Sequence, residues 1–198
     1  GADYIVTHKH NMGLASAFMT GLSACASLQA DIIVNTDADN QYNAEDIAKL
    51  VKPIQEKKAD IVIGARPISE IEEFSRIKKI LQHFGSWTIR KISDTDIPDA
   101  PSGFRAFSRE AAIRLNVFSR YTYTLETIIQ AGLKNMSITS VPIRVNPGKR
   151  ESRLIKSIPD YIGKSAATAL RIFMIYRPLA FFTTLGIVAL IAGTLLGL

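Results

Sequence analysis

The segment with the most chemical content is "DIIVNTDADNQY" at residues 31–42, where Asp37 and Asp39 follow closely on the apolar run Ile32, Ile33 and Val34. Residues two apart in extended backbone project to the same side, so this spacing predicts that both carboxylates face one space. Two hard oxygen donors suit Mg²⁺ or Mn²⁺, ions that keep their other positions for water and phosphate oxygens. The reaction that calls for such a pair is departure of a diphosphate, whose growing negative charge the ion offsets. An isolated Asp-x-Asp is also a common solvated turn, so the pair by itself leaves both readings open.

The elements around the pair narrow the choice. "ADYIVT" at residues 2–7 reads as a short strand, and "HNMGLASAFMTGLSACASLQAD" as a helix whose Ala15, Ala17, Gly21, Ala24 and Ala26 let it lie close on a sheet. Ile32 to Asn35 is a short apolar run of the kind buried in a parallel sheet. In "NAEDIAKLVKPI", Asn43 is an N-cap, Glu45 and Asp46 sit in the first turn, and Pro53 kinks or ends the helix. "ADIVIGA" at residues 59–65 is another buried strand. Strand, helix, strand, helix, strand predicts an α/β domain with a largely parallel sheet. Ligands of such sheets bind outside the carboxyl ends of the strands, the edge to which the run ending at Asn35 delivers Asp37 and Asp39.

Farther on, Ile71, Phe74, Ile77, Leu81, Phe84 and Trp87 form an apolar stripe with Arg76, Lys78, Lys79, Arg90 and Lys91 around it. Such a helix either covers the sheet or lies at a membrane interface. "YTLETIIQAGLKN" reads as a helix and "SITSVPIRVNP" as a strand that Pro142 places at an edge. Ser157 and Pro159 open a juxtamembrane amphipathic helix over residues 156–177. Residues 179–198 carry no charge, and a helix of that length spans about 30 Å, the thickness of a bilayer's hydrocarbon core. The expected organisation is a catalytic domain over residues 1–155, the amphipathic helix, and a transmembrane helix over residues 178–198.

The chain has 198 residues and a formal net charge of +6. Lys149, Arg150, Arg153, Lys156, Lys164, Arg171 and Arg177 precede the apolar segment, which predicts a cytoplasmic domain and contact with anionic membrane lipids. No helix-turn-helix pattern, zinc-ligand spacing or aromatic RNA-binding signature accompanies the charge, which argues against nucleic acid. Cys25, the single cysteine, cannot form an internal disulfide and reads as a packing residue. Gly1 stands where an initiating Met would, and the apolar segment runs to the last residue, so the expectation is a piece of a longer chain.

Four segments in order carry a family resemblance: "HNMGLASAFMTGLSACASLQADIIV", "NTDADNQYNAEDI", "DAPSGFRAFSREA" and "NPGKRESRLIKS". Together they resemble family 2 glycosyltransferases, in particular the polyprenyl-phosphate branch that includes dolichol-phosphate mannose synthase-like enzymes. The resemblance implies a GT-A, Rossmann-like sheet with helices on both faces. It implies inverting transfer of a sugar from a nucleotide-diphosphate donor to a polyprenyl (undecaprenyl or dolichyl) phosphate. It assigns the Mg²⁺ or Mn²⁺ to Asp37, Asp39 and Gln41, and gives Asp39 and Asp99 catalytic positions. Ser102 and Arg105 match the stretch near the acceptor phosphate, and Arg150, Ser152 and Arg153 match a loop that contacts phosphates. The family's opening strand and acidic loop, which hold the nucleotide, have no match here, so this stretch of chain is expected to be inactive alone.

The rivals are transfer to another acceptor, a nucleotidyltransferase, and a non-catalytic membrane-anchored protein that binds sugar nucleotides. The apolar span and the Ser-Gly-Phe-Arg stretch count against the second, and the intact acidic pair against the third. Donor sugar, nucleotide and lipid length stay open, and a homo-oligomer is compatible with everything above.

Overall fold

The computed structural model describes residues 2–67, 86–87, 89–90, 93–118, 122–146, 170–171 and 174–197. The chain divides into two compact units, Gly1–Glu151 and Ser152–Leu198.

In the first unit, helix α1 (Leu14–Ser27) turns Ala15, Phe18 and Leu22 into the core, the three- and four-residue spacing of one helical face. Gly13 leads into it with a φ of 87°, a conformation that a Cβ would strain. Its N–H donates to Oδ1 of Asn11 at 2.9 Å, which gives the Asn-x-Gly sequence a physical role as the turn into α1.

Four strands follow: β1 (Ile32–Asn35), β2 (Ile61–Ala65), β3 (Arg105–Ser108) and β4 (Ile138–Pro142), arranged β1-β3-β2-β4. β3 runs antiparallel to both of its neighbours, while β2 and β4 are parallel. The expectation of a largely parallel sheet is therefore corrected: β1, β2 and β4 share a direction, and β3 is reversed between them. The chain leaves β2 at its carboxyl end and re-enters at that same edge, where the Gly64 N–H donates to Phe104 O at 2.8 Å. A strand entered from that edge must run backwards.

Register places the apolar residues in two rows. Ile33, Phe107 and Ile61 are cross-strand neighbours on one face, and Val34, Ala106 and Val62 on the other. Phe18 of α1 packs edge-on to Phe107 with ring centroids 5.6 Å apart. The opposite row joins Leu50 and Ile54 of helix α2 (Ile47–Gln55) in one core cluster. Each fully buried aliphatic side chain of this kind contributes roughly 2 kcal/mol. Helices thus cover both faces, as expected for the fold class.

Asn43 caps the 3₁₀ turn Ala44–Asp46 by accepting the Glu45 N–H, and α2 ends two residues after Pro53. Helices α3 (Arg109–Arg114) and α4 (Thr124–Leu133) also belong to this unit, and Pro142 does close an edge strand. Residues 2–7 form no strand, and Tyr4, Ile5 and Val6 are exposed. β-forming residues become a strand only where their backbone groups find a ladder partner, and among the described residues these have none.

In the second unit, helix α5 (Pro178–Leu196) has 19 residues, no buried side chain and a mean hydropathy of 2.2. It is long and apolar enough to cross a membrane. Two of its three threonine hydroxyls bond within the helix: Thr184 donates to Ala180 O at 2.8 Å and Thr194 to Leu190 O at 2.9 Å. That is the arrangement an apolar solvent demands. Most of the stripe from Ile71 to Trp87, and the helix start at Ser157 and Pro159, lie outside the described residues; Trp87 itself is half exposed.

Candidate active site

β1 stops at Asn35, whose side-chain amide donates to Gly103 O and to the Tyr123 hydroxyl, each at 2.8 Å. The Gly103 N–H donates to the Tyr42 hydroxyl at 3.1 Å. Both polar groups of the Gly103 backbone are therefore held by side chains from other elements. The aromatic rings are fixed in turn: Tyr42 stacks on Phe104 with centroids 5.0 Å apart, and Tyr123 on Phe18 at 3.9 Å.

Asp37 lies against this scaffold. A Cβ added to Gly103 would meet Asp37 Oδ2 at 2.5 Å, so only glycine admits the carboxylate here. A cleft of about 320 Å³ between α1 and β1 has apolar walls from Leu14, Phe18, Leu22 and Ile33 and ends at Asp37. Burial, and then the negative charge of Asp39, hold the Asp37 carboxyl above the usual carboxylate range, against the pull of Arg66 and Arg105.

Asp39 is exposed, and the extended alternation expected for the pair is not observed. Ala38 and Asp39 form a turn, and Asn40 adopts a φ of 59°. Asp39 Oδ1 accepts the Gln41 N–H at 3.0 Å, an Asx-type turn that competes with extended backbone. The carboxylates remain electrostatic neighbours through the turn rather than through strand geometry.

Asp99 is buried and holds Arg66 three ways: Oδ2 accepts from Arg66 Nε at 2.7 Å and from its backbone N–H at 3.1 Å, and Oδ1 from Nη2 at 2.9 Å. Both of its oxygens are engaged in a forked ion pair, which fits a residue that orients Arg66 better than one that takes a proton. Ser102 is fully buried, its N–H donates to Asp99 O at 3.2 Å, and its hydroxyl finds no partner among the described residues.

Arg105 is placed differently from the expectation. It is fully buried, with Nε donating to Ser102 O at 2.7 Å, Nη2 to Ala100 O at 2.7 Å, and Nη1 to Thr124 O and Thr127 Oγ1 at 2.8 and 2.6 Å. A guanidinium spent on four protein acceptors organises the 99–105 loop from inside. Burial lowers its pKa to about 10, which leaves it charged at neutral pH, and pushes the Tyr123 phenol up to about 12.

Sequence reasoning did not single out Asn35, Tyr42, Arg66, Gly103 and Tyr123. Arg66 was open to the argument used for the aspartates, since it follows a buried strand at its carboxyl end. The two tyrosines carried no such signal, because their partners are distant in sequence. Arg150, Ser152 and Arg153 lie outside the described residues.

Residues 3–115 match the sequence model of glycosyl transferase family 2, more than half of the chain. The chain belongs to glycosyl transferase family 2. It is 34% identical over 148 residues to the UDP-N-acetylglucosamine–dolichyl-phosphate N-acetylglucosaminyltransferase of Methanococcus voltae, covering 70% of this chain and 57% of that protein. It is 25% identical over 137 residues to the undecaprenyl-phosphate mannosyltransferase of Micrococcus luteus, covering 66% of this chain and 56% of that one. Among solved structures, glucosyl-3-phosphoglycerate synthase of Mycobacterium tuberculosis, in complex with Mn²⁺, UDP and phosphoglyceric acid, superposes with a TM-score of 0.60 at 16% identity. That match covers 84% of this chain and 54% of the other. The family 2 chain thus spans little more than half the length of these relatives, and the structural likeness establishes the GT-A fold.

The residues of this family 2 domain fit a divalent cation. Asp37 and Asp39 are hard oxygen donors, and the partial burial and mutual repulsion that disfavour the Asp37 carboxylate are what a cation would relieve. Among the described residues no group of three or more His, Cys, Asp and Glu side chains converges. A carboxylate pair without a fuller protein cage is the arrangement in which Mg²⁺ or Mn²⁺ takes its other ligands from water and phosphate.

Proposed function

We propose that the complete protein transfers a sugar from a nucleotide-diphosphate donor to a polyprenyl phosphate at a membrane, with inversion at the anomeric carbon. The single observation that carries this is the seating of Asp37 against Gly103. It joins the acidic turn after β1 to the 99–105 loop, which contains Ser102 and lies at the same sheet edge. The family match and the polyprenyl-phosphate relatives support the same reading.

Asp37 and Asp39, with Gln41 beside them, would hold the Mg²⁺ or Mn²⁺. When bound, the ion supplies charge neutralisation for the departing nucleoside diphosphate. The acceptor phosphate carries one to two negative charges near neutral pH, so its oxygen attacks without a strong general base. As it bonds to the anomeric carbon from the far face, the bond from that carbon to the diphosphate breaks. Asp99 then has no proton to take: it holds Arg66, and Arg105 holds the loop. The resemblance places Ser102 near the acceptor, and its buried hydroxyl has no hydrogen-bond partner among the described residues. Arg150, Ser152 and Arg153, which the chain reaches a few residues after Asn146, are assigned to phosphate by the resemblance. Helix α5 would keep the domain at the bilayer, on its cytoplasmic face.

The test uses membranes carrying the complete reading frame, short-chain polyprenyl phosphate and a panel of radiolabelled nucleotide sugars. Label entering the organic phase with Mg²⁺ or Mn²⁺, and lost in Asp39→Asn, supports the reading and identifies the donor. Metal-dependent label that stays in the aqueous phase would contradict it.

A further inference from the structure

Beyond β4 the chain runs back alongside residues 40–46, the segment that follows the acidic turn, and residues 144–146 bind it at successive points. The Arg144 N–H donates to Asp46 Oδ2 at 2.6 Å, and its guanidinium contacts Asp46 and Glu45, each at 2.9 Å. Val145 forms an antiparallel bridge with Tyr42. Asn146 then spends three donors on three consecutive carbonyls. Its N–H goes to Gln41 O at 2.8 Å, and its side-chain amide to Asn40 O at 3.0 Å and Tyr42 O at 3.2 Å.

Those carbonyls belong to the residues immediately after Asp39, where Asn40 holds a left-handed φ of 59°. A non-glycine residue in that region costs about 1 kcal/mol and needs outside support. The Asp39 carboxylate is tied to the same backbone through the Gln41 N–H. The orientation of Asp39 therefore depends on a peptide segment whose carbonyls are occupied by one residue, that of Gln41 by its backbone and those of Asn40 and Tyr42 by the side chain that Asn146→Ala removes.

We propose that Asn146 is a positioning residue for the acidic turn, and that it sets the divalent-cation affinity of Asp37 and Asp39. This rests on the reading of those aspartates as the cation's ligands. With the three carbonyls pinned, Asp39 is already ordered before the ion arrives, and binding costs less conformational entropy. Outer partners of this kind change metal affinity by about 10- to 100-fold when removed.

The experiment measures free Mn²⁺ by electron paramagnetic resonance during titration of the full-length protein in detergent, with UDP present. It compares wild type, Asp39→Asn, Asn146→Ala and Arg144→Ala. Arg144→Ala is the control for loss of stability, because it removes an ion pair from the same segment without touching the three carbonyls. The expected result is Mn²⁺ binding by wild type, roughly 10-fold or greater weakening in Asn146→Ala, and unchanged affinity in Arg144→Ala. Asn146→Ala should also recover activity at raised Mn²⁺, whereas Asp39→Asn should not. Wild-type affinity in Asn146→Ala, or equal weakening in both strap variants, would overturn the positioning role while leaving the metal reading intact. Wild type that binds Mn²⁺ no better than Asp39→Asn would overturn both.

Discussion

The Cα of Gly103 lies so close to Asp37 that a single methyl group would stand 2.5 Å from Oδ2 of the carboxylate. This contact links the two halves of the site, because Gly103 is held by Asn35 and Tyr42 and precedes the strand that begins at Arg105. Gly103→Ala should displace the Asp37 carboxylate while leaving the sheet intact. We expect transfer to fall about 100-fold, the cost of misplacing a reacting-site group by about 1 Å. Steady-state kinetics beside circular dichroism would check it, and a variant of near wild-type rate would refute the linkage.

Asp37 should show a trade between stability and function. Its carboxyl is held above the usual range by burial and by Asp39, so in the metal-free protein its ionised form is disfavoured by folding. The destabilisation is absent below its unfolded pKa and develops as pH rises through the folded one. Asp37→Asn should therefore raise Tm at neutral pH without metal, abolish metal-dependent transfer, and lose its stability advantage in acid. Calorimetry across pH in the presence of a chelator would test this; a lowered Tm at neutral pH would count against it.

Arg105 separates a structural role from a ligand role. Replacing it with Met leaves several buried carbonyls without donors, and stability should fall by about 3 kcal/mol or more. Arg105→Lys should recover little, because an ammonium cannot reproduce the planar fork. Urea unfolding reads both. A variant that keeps wild-type stability yet loses acceptor affinity would instead place this arginine on the phosphate.

Asp46 predicts an acid-sensitive element. Arg144 and Lys49 hold its buried carboxylate well below the usual range, against the opposing effect of burial. A depressed carboxyl contributes stability that is complete above its unfolded pKa of about 4 and is lost as pH falls toward the folded value. Asp46→Asn should cost about 2 kcal/mol at neutral pH and flatten the loss of stability below about pH 4. Urea titrations at a series of pH values would show whether the two curves converge in acid.

Much of this arrangement was legible in local patterns. The apolar run Ile32–Asn35 became β1 at those residues, Asn43 became a cap, and the uncharged C-terminal run became α5. These depend on spacing along one element. The reversed β3 was not legible, because its direction follows from where a long excursion brings the chain back. The burial of Arg105 was not legible for a related reason: arginine suggests a surface, and four acceptors gathered from the 100–102 and 124–127 segments make its burial tolerable. The turn at Asp39 and Asn40 departs from extended geometry through the Gln41 N–H bond to Asp39, and the Asn146 contacts to the carbonyls that follow come from more than a hundred residues away.

Sugar transfer to a lipid phosphate is the proposed role of the acidic turn and the 99–105 loop. The most direct measurement offers the full-length enzyme polyprenyl phosphate and 3-phosphoglycerate together, with one labelled nucleotide sugar and Mn²⁺, and follows label into each product. Label should enter the lipid, dependent on Asp37 and Asp39 and insensitive to excess phosphoglycerate. Label found only in the water-soluble phosphate would contradict it.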